Sequence, residues 1–291
     1  GGFEYLRGNV TVNIAATTRV TEEGATGTFG IGDISVGQRL WATGTATIDN
    51  TTSTATFDAT AGRVRLEFTP MWGLVTGTVG NPLTLDLRAI DGRSPSIFNF
   101  AGTGTSPATD ASASAYLVDT NTLDLSALTP GAPARVFGFP VPFGTAAGTD
   151  FTAQTLVSYS QVQNQLLLNW SGGGSLAAFP GLMSNSAALD LSLAGAGAVH
   201  FLQTGPLHVD LLSLASPPQI VGDAMAGDTA YLIGHAHARH VENYQGFADF
   251  IAALAGDLTG TQKVLGIAAS GKYDAASNTF TADRLAVLVN D

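Results

Sequence analysis

Three of the chain's five histidines fall within six residues, in the run Gly234-His-Ala-His-Ala-Arg-His-Val-Glu242. Imidazole and carboxylate oxygen together suit zinc, nickel or copper. On a strand, His235 and His237 share one face, and His240 and Glu242 share a face with each other. His235, His237, His240 and Glu242 are therefore the candidate metal ligands, and the chemistry in prospect is weak or adventitious divalent-metal binding. The competing reading is polar alternation in an exposed strand, with Ala236 and Ala238 facing inward. His200 and His208 join the set only if the fold brings them near.

Other chemistry has thinner support. Asp86, Asp91, Asp223 and Asp228 could supply a hydrolytic carboxylate pair, but they read as turn residues, where Asp is an ordinary choice. The Ser171-Gly-Gly-Gly-Ser175 run lacks the Gly-x-Ser-x-Gly spacing of a nucleophile elbow. No P-loop or dinucleotide fingerprint is present. Residues 49–58 and 119–124 hold spaced oxygens without the order of a calcium loop. Trp41 sits on an alternating strand and reads as core, against the alternative of an exposed ring that stacks on sugars. These observations point away from an enzyme, and no cofactor is expected.

Charge narrows the partners. Asp, Glu, Lys and Arg make up 12% of the 291 residues, against about 25% in ordinary globular domains. The net charge is −11, and Lys263 and Lys272 are the only lysines. Such a chain is unsuited to phosphate backbones or anionic membrane surfaces. There is no cysteine, so disulfides and zinc–thiolate sites are excluded. A surface rich in Thr, Ser, Gly and Ala is common in exported bacterial proteins. The expected location is the periplasm, the cell surface or outside the cell. The most apolar stretch, 186–202, is interrupted by Asp190 and glycines and is too short to span a bilayer as a helix. The Gly-Gly-Phe-Glu start carries no signal peptide and reads as a mature or trimmed terminus.

The elements that would position these residues are almost all strands. Period-two alternation marks 9–18, 39–48, 54–60 and 63–68. Turn residues stand between the runs at 22–24, 49–53, 80–82 and 91–93. Further strands are expected at 6–16, 72–90, 97–101 with 115–119, 165–170 and 187–214. One helix is predicted over 243–258, where Phe247, Phe250, Ile251, Leu254 and Leu258 form a stripe, with Gly246 and Gly256 near its ends.

An internal repeat emerges when 37–67 is set beside 131–160 and 261–290. Each copy reads as a β-hairpin whose second strand carries Phe-x-Ala: Phe57 and Ala59, Phe151 and Ala153, Phe280 and Ala282. A large residue beside a small one on one strand face fills the taper of a small barrel. The expected architecture is all-β, with three tandem small antiparallel OB-like barrels or sandwiches. Their spans are 1–68, 69–160 and 161–291, the last holding the helix.

The run Asp33-Ile-Ser-Val-Gly37 leading to Phe57-Asp58-Ala59, and Leu128-Thr-Pro-Gly131 leading to Phe151-Thr152-Ala153, resemble a group of uncharacterised bacterial cell-envelope proteins, often lipoproteins, built of tandem small β-barrels. The resemblance covers the three hairpins and implies an envelope location and a β fold. It carries no catalytic residue. The expected function is a non-enzymatic structural or assembly protein of the envelope or extracellular space, a scaffold, surface or fibre subunit. Its partners would be copies of itself or other envelope proteins. The alternative is a carbohydrate- or small-ligand-binding module, and a metal-dependent enzyme ranks last.

Overall fold

The computed structural model describes residues 10–49, 54–160, 162–192, 199–205, 207–214 and 216–290. The protein is all-β with one α-helix, and the chain divides into two compact units. The first comprises residues up to 125 together with 135–157. The second comprises 126–134 and 158 onward.

In the first unit, β1 (Thr11–Asn13), β2 (Arg19–Glu22), β3 (Leu40–Asp49) and β4 (Thr54–Leu66) form one sheet. The two alternating runs 54–60 and 63–68 merge into the single long strand β4, antiparallel to β3. The short strands β1 and β2 lie end to end along it, both parallel. Val20, Val64 and Leu66 bury against Phe139, with Phe29, Ile34, Ala42 and Phe68 around them. The Phe68 and Phe139 rings are 5.0 Å apart.

A closed barrel follows: β5 (Thr69–Thr76), β6 (Leu83–Ile90), β7 (Tyr116–Asp119), β8 (Pro133–Pro140) and β9 (Phe151–Ser158). Its circular order is β5-β6-β7-β9-β8. The first three strands meander, β8 returns beside β5, and β9 closes the gap, parallel to β7. This is a five-stranded Greek-key barrel. Alternation along β6 sends Leu83, Leu85 and Leu87 inward, where they join Tyr116, Val118, Val136 and Phe151. The strand expected at 97–101 is absent. Ser94 caps a short 3-10 turn at Pro95–Ile97, and the chain then lays Phe100 against Tyr116, 6.0 Å ring to ring. The aromatic residues there pack ring against ring and do not pair as a strand.

In the second unit, β10 (Gln163–Asn169), β11 (Gly181–Met183), β12 (Ser186–Ala188), β13 (His200–Thr204), β14 (Leu207–Asp210), β15 (Gln219–Gly222), β16 (Ala230–His235), β17 (His240–Tyr244), β18 (Lys263–Asp274) and β19 (Thr279–Asn290) make a ten-stranded sheet. The helix α1 (Phe247–Asp257) precedes β18. It is shorter than the predicted 243–258, because Asn243 and Tyr244 pair with Leu232 and Tyr231 as strand. Gly246 stands at its N-cap and Gly256 lies inside its last turn. Its stripe of Phe250, Ile251 and Leu254 is buried.

The three Phe-x-Ala segments lie on β4, β9 and β19, and their surroundings match. Ala59, Phe151, Ala153, Phe280 and Ala282 are buried. In each case the Phe faces an aliphatic residue on a parallel strand: Val12 opposite Phe57, Val118 opposite Phe151, Ile220 opposite Phe280. In each case a glycine on the preceding antiparallel strand presses on the segment's middle carbonyl. A β-carbon on Gly44, Gly138 or Gly271 would lie 2.0 Å from the carbonyl oxygen of Asp58, Thr152 or Thr281 respectively. No other residue tolerates that approach.

Candidate metal centre and apolar trough

The histidine run folds as a hairpin. β16 ends at His235, residues 236–239 turn, and β17 starts at His240. The pairs are His235 with His240, Ile233 with Glu242, and Tyr231 with Tyr244. Cross-strand partners share a face, so His235, His240 and Glu242 all look toward the side where α1 packs. The expectation that His235 and His237 share a strand face fails, because His237 lies exposed in the turn. That turn has no Gly, Pro, Asn or Asp to announce it. Arg239 adopts the left-handed conformation instead, with φ of 53°.

The fold supplies a candidate ligand that the local sequence did not suggest. Asp257, the last residue of α1, brings a carboxylate oxygen 3.9 Å from His235 Nε2. Glu242 Oε1 stands 3.9 Å from the same nitrogen and 3.8 Å from His240 Nε2. One donor atom each from His235, Glu242 and Asp257 falls within 4.8 Å of the others. His235, Glu242 and Asp257 are half-buried, whereas the His240 side chain is 62% exposed. The Tyr244 hydroxyl donates to Glu242 Oε2. That bond, with the nearby carboxylates, pushes the phenol up to about 12. Tyr244 thus stays a donor and leaves Oε1 turned toward the imidazoles.

The remaining candidates do not converge here. His200 and His208 lie on the β13–β14 hairpin, the first 3.5 Å from Asp210 and the second stacked on Phe201 at 4.6 Å. Asp86 is not in a turn but mid-strand on β6, 2.7 Å from Arg88. Asp91 meets Arg39 at 3.3 Å, and Asp228 meets Arg284 at 3.2 Å. Asp223 Oδ1 accepts the Met225 and Ala226 amides. Residues 50–53 of the oxygen-rich 49–58 run lie outside the described residues. In the other run, Asp119 Oδ1 accepts from the Asn81 side chain and the Asn121 amide. Trp41, expected in the core, is 52% exposed, while Trp72 and Trp170 are buried. Alternation along β3 did not identify the solvent face, because Trp41 pairs with Arg65 on the open side.

The opposite face of β16 and β17 takes part in a trough of about 530 Å³ across β10, β18, β19 and β16. The registers stack its lining in rows. Leu167, Ala268, Ala286 and Leu232 form one, and Asn169, Gly266, Leu288, Gly234 and Val241 the next. Glycine and alanine make the floor, and leucines and valine stand above it. Leu288 is 43% exposed and Val241 61%. At one end the lining turns polar with Gln165, Ser270, Arg284 and Asp228.

No family model, no curated protein and no solved structure matches this chain.

Proposed function

We propose that the protein is a non-enzymatic assembly component of the bacterial cell envelope or extracellular space, a scaffold or surface subunit whose partner is a second copy of itself. The observation that carries this reading is the apolar trough on the open face of the ten-stranded sheet. Contiguous exposed apolar surface of this kind marks interaction sites in soluble proteins. The face offers both knobs, Leu288 and Val241, and holes, over Gly234, Gly266, Ala268 and Ala286. A surface with both can seat a second copy under a two-fold axis, the commonest oligomer symmetry. The low-charge, Thr- and Ala-rich composition and the resemblance to tandem-barrel envelope proteins support the same reading. So does the shared environment of the three Phe-x-Ala segments, which we read as copies of one OB-like unit.

Light scattering over a range of protein concentrations tests it. The expected result is a mass above the monomer that rises with concentration. Leu288→Glu and Val241→Glu should each return the chain to a monomer with unchanged far-ultraviolet circular dichroism. A wild-type chain monomeric at every concentration would overturn the proposal.

A second reading, a small-ligand module, is favoured by the shape of the trough. A floor of glycine and alanine between aliphatic banks leaves room for a narrow apolar molecule. Saturable quenching of a hydrophobic fluorophore by a monomer, lost in Leu288→Glu, would select this reading over assembly.

A further inference from the structure

We infer that His235, Glu242 and Asp257 form a zinc site that clamps the C-terminal end of α1 to the β16–β17 hairpin. The three donors come from three different elements and converge within 4.8 Å. Zinc bonds of about 2.0–2.1 Å to nitrogen and oxygen imply ligands roughly 3.3 Å apart in a tetrahedron. The 3.9 Å separations from His235 Nε2 to both carboxylates need to contract by well under 1 Å. His240 stands on the open side, 3.8 Å from Glu242, where rotation of an exposed ring can supply the fourth ligand. One imidazole with two carboxylates is a borderline donor set carrying two negative charges, which suits zinc better than calcium.

A further observation supports a cation at this spot. Tyr244 holds the outer oxygen of Glu242 and aims the inner one at the imidazoles. Polar groups behind a ligand that fix its orientation are the usual support of a metal centre. The site lies on the face opposite the apolar trough, so it stands independently of the assembly proposal.

Calorimetric titration of the chelator-treated full chain with zinc chloride at pH 7.5 tests the inference, with thermal unfolding followed in parallel. One equivalent should bind and raise the melting temperature. Asp257→Asn should weaken binding by at least about tenfold, and Tyr244→Phe by about tenfold through the lost support. His237→Ala should leave the affinity unchanged. Absence of saturable binding overturns the site. Binding that survives Asp257→Asn but disappears in His237→Ala also overturns it, since it would then belong to the exposed turn. If Asp257→Asn does not fold, cobalt(II) on the unaltered chain decides. Intense tetrahedral bands support the site, and the spectrum of the hydrated ion refutes it.

Discussion

Asp150 is the buried carboxylate whose surroundings make the clearest demand on the fold. It sits at the entry to β9, its Oδ2 accepting the Leu117 amide at 2.9 Å, beside Tyr116. Desolvation raises its pKa, and the Leu117 hydrogen bond offsets only part of that. A raised value means that the folded state prefers the neutral acid. The stability tied to this group is complete below the unfolded value, about 3.9, and is lost as pH climbs through the higher folded one. Asp150→Asn keeps an oxygen for Leu117 and removes the charge. It should raise the melting temperature at pH 7, and calorimetry should show the gain vanishing near pH 3.5. An equal gain at both pH values would contradict this account. At this scale the sequence revealed three of the four ligands of the proposed metal site. His235, His240 and Glu242 are neighbours along the chain, so their types and spacing could be read directly. Asp257 is separated from them by all of α1, and no spacing rule reaches across a helix whose packing is unknown. Spacing alone places His237 on a strand, because a turn built on Arg239 carries none of the usual turn residues.

The hairpins β3–β4, β8–β9 and β18–β19 share one internal device, a glycine pressed against the carbonyl inside Phe-x-Ala. The obstacle is backbone and cannot swing aside. Gly138→Ala should therefore destabilise at the upper end of the overpacking range, about 3 kcal/mol or more by denaturant unfolding. Gly32→Ala, with open space around its β-carbon and no left-handed φ, should stay within about 0.5 kcal/mol of the parent. Equal effects would mean that the close approach does not matter. These hairpins were legible because period-two alternation and turn residues are local signals. The strand expected at 97–101 was not, because aromatic residues suit ring packing in a loop as well as a strand. The helix start was read four residues early, since Tyr244 fits an apolar stripe as well as a ladder, and only pairing with Tyr231 settles the choice.

For the molecule as a whole, the trough lies on a chain of net charge −11. Two such copies repel at long range, and salt screens that repulsion with a length of about 10 Å at 0.1 M. Apolar association should accordingly strengthen as sodium chloride rises from about 0.01 M to 0.5 M, read as an increasing mass in light scattering. Dissociation by salt would instead indicate an interface held by ion pairs. Strand-rich character and a barrel could be read along the chain. The trough could not, because its rows draw on residues from 167 to 288 that only the sheet register brings together. That register also fixes an order of events. β1 and β2 wait for β4, while the parallel edge of β7 waits for β9 and those of β15 and β16 wait for β19. Each short parallel strand is thus made before the long strand it leans on. A ribosome delivering the chain from its N-terminus releases β15 with only β12, and β16 with only β17, to pair with until β19 emerges. A nascent chain stopped before β19 therefore holds every strand of the first unit but lacks the one strand that joins β15, β16 and β18 in the second.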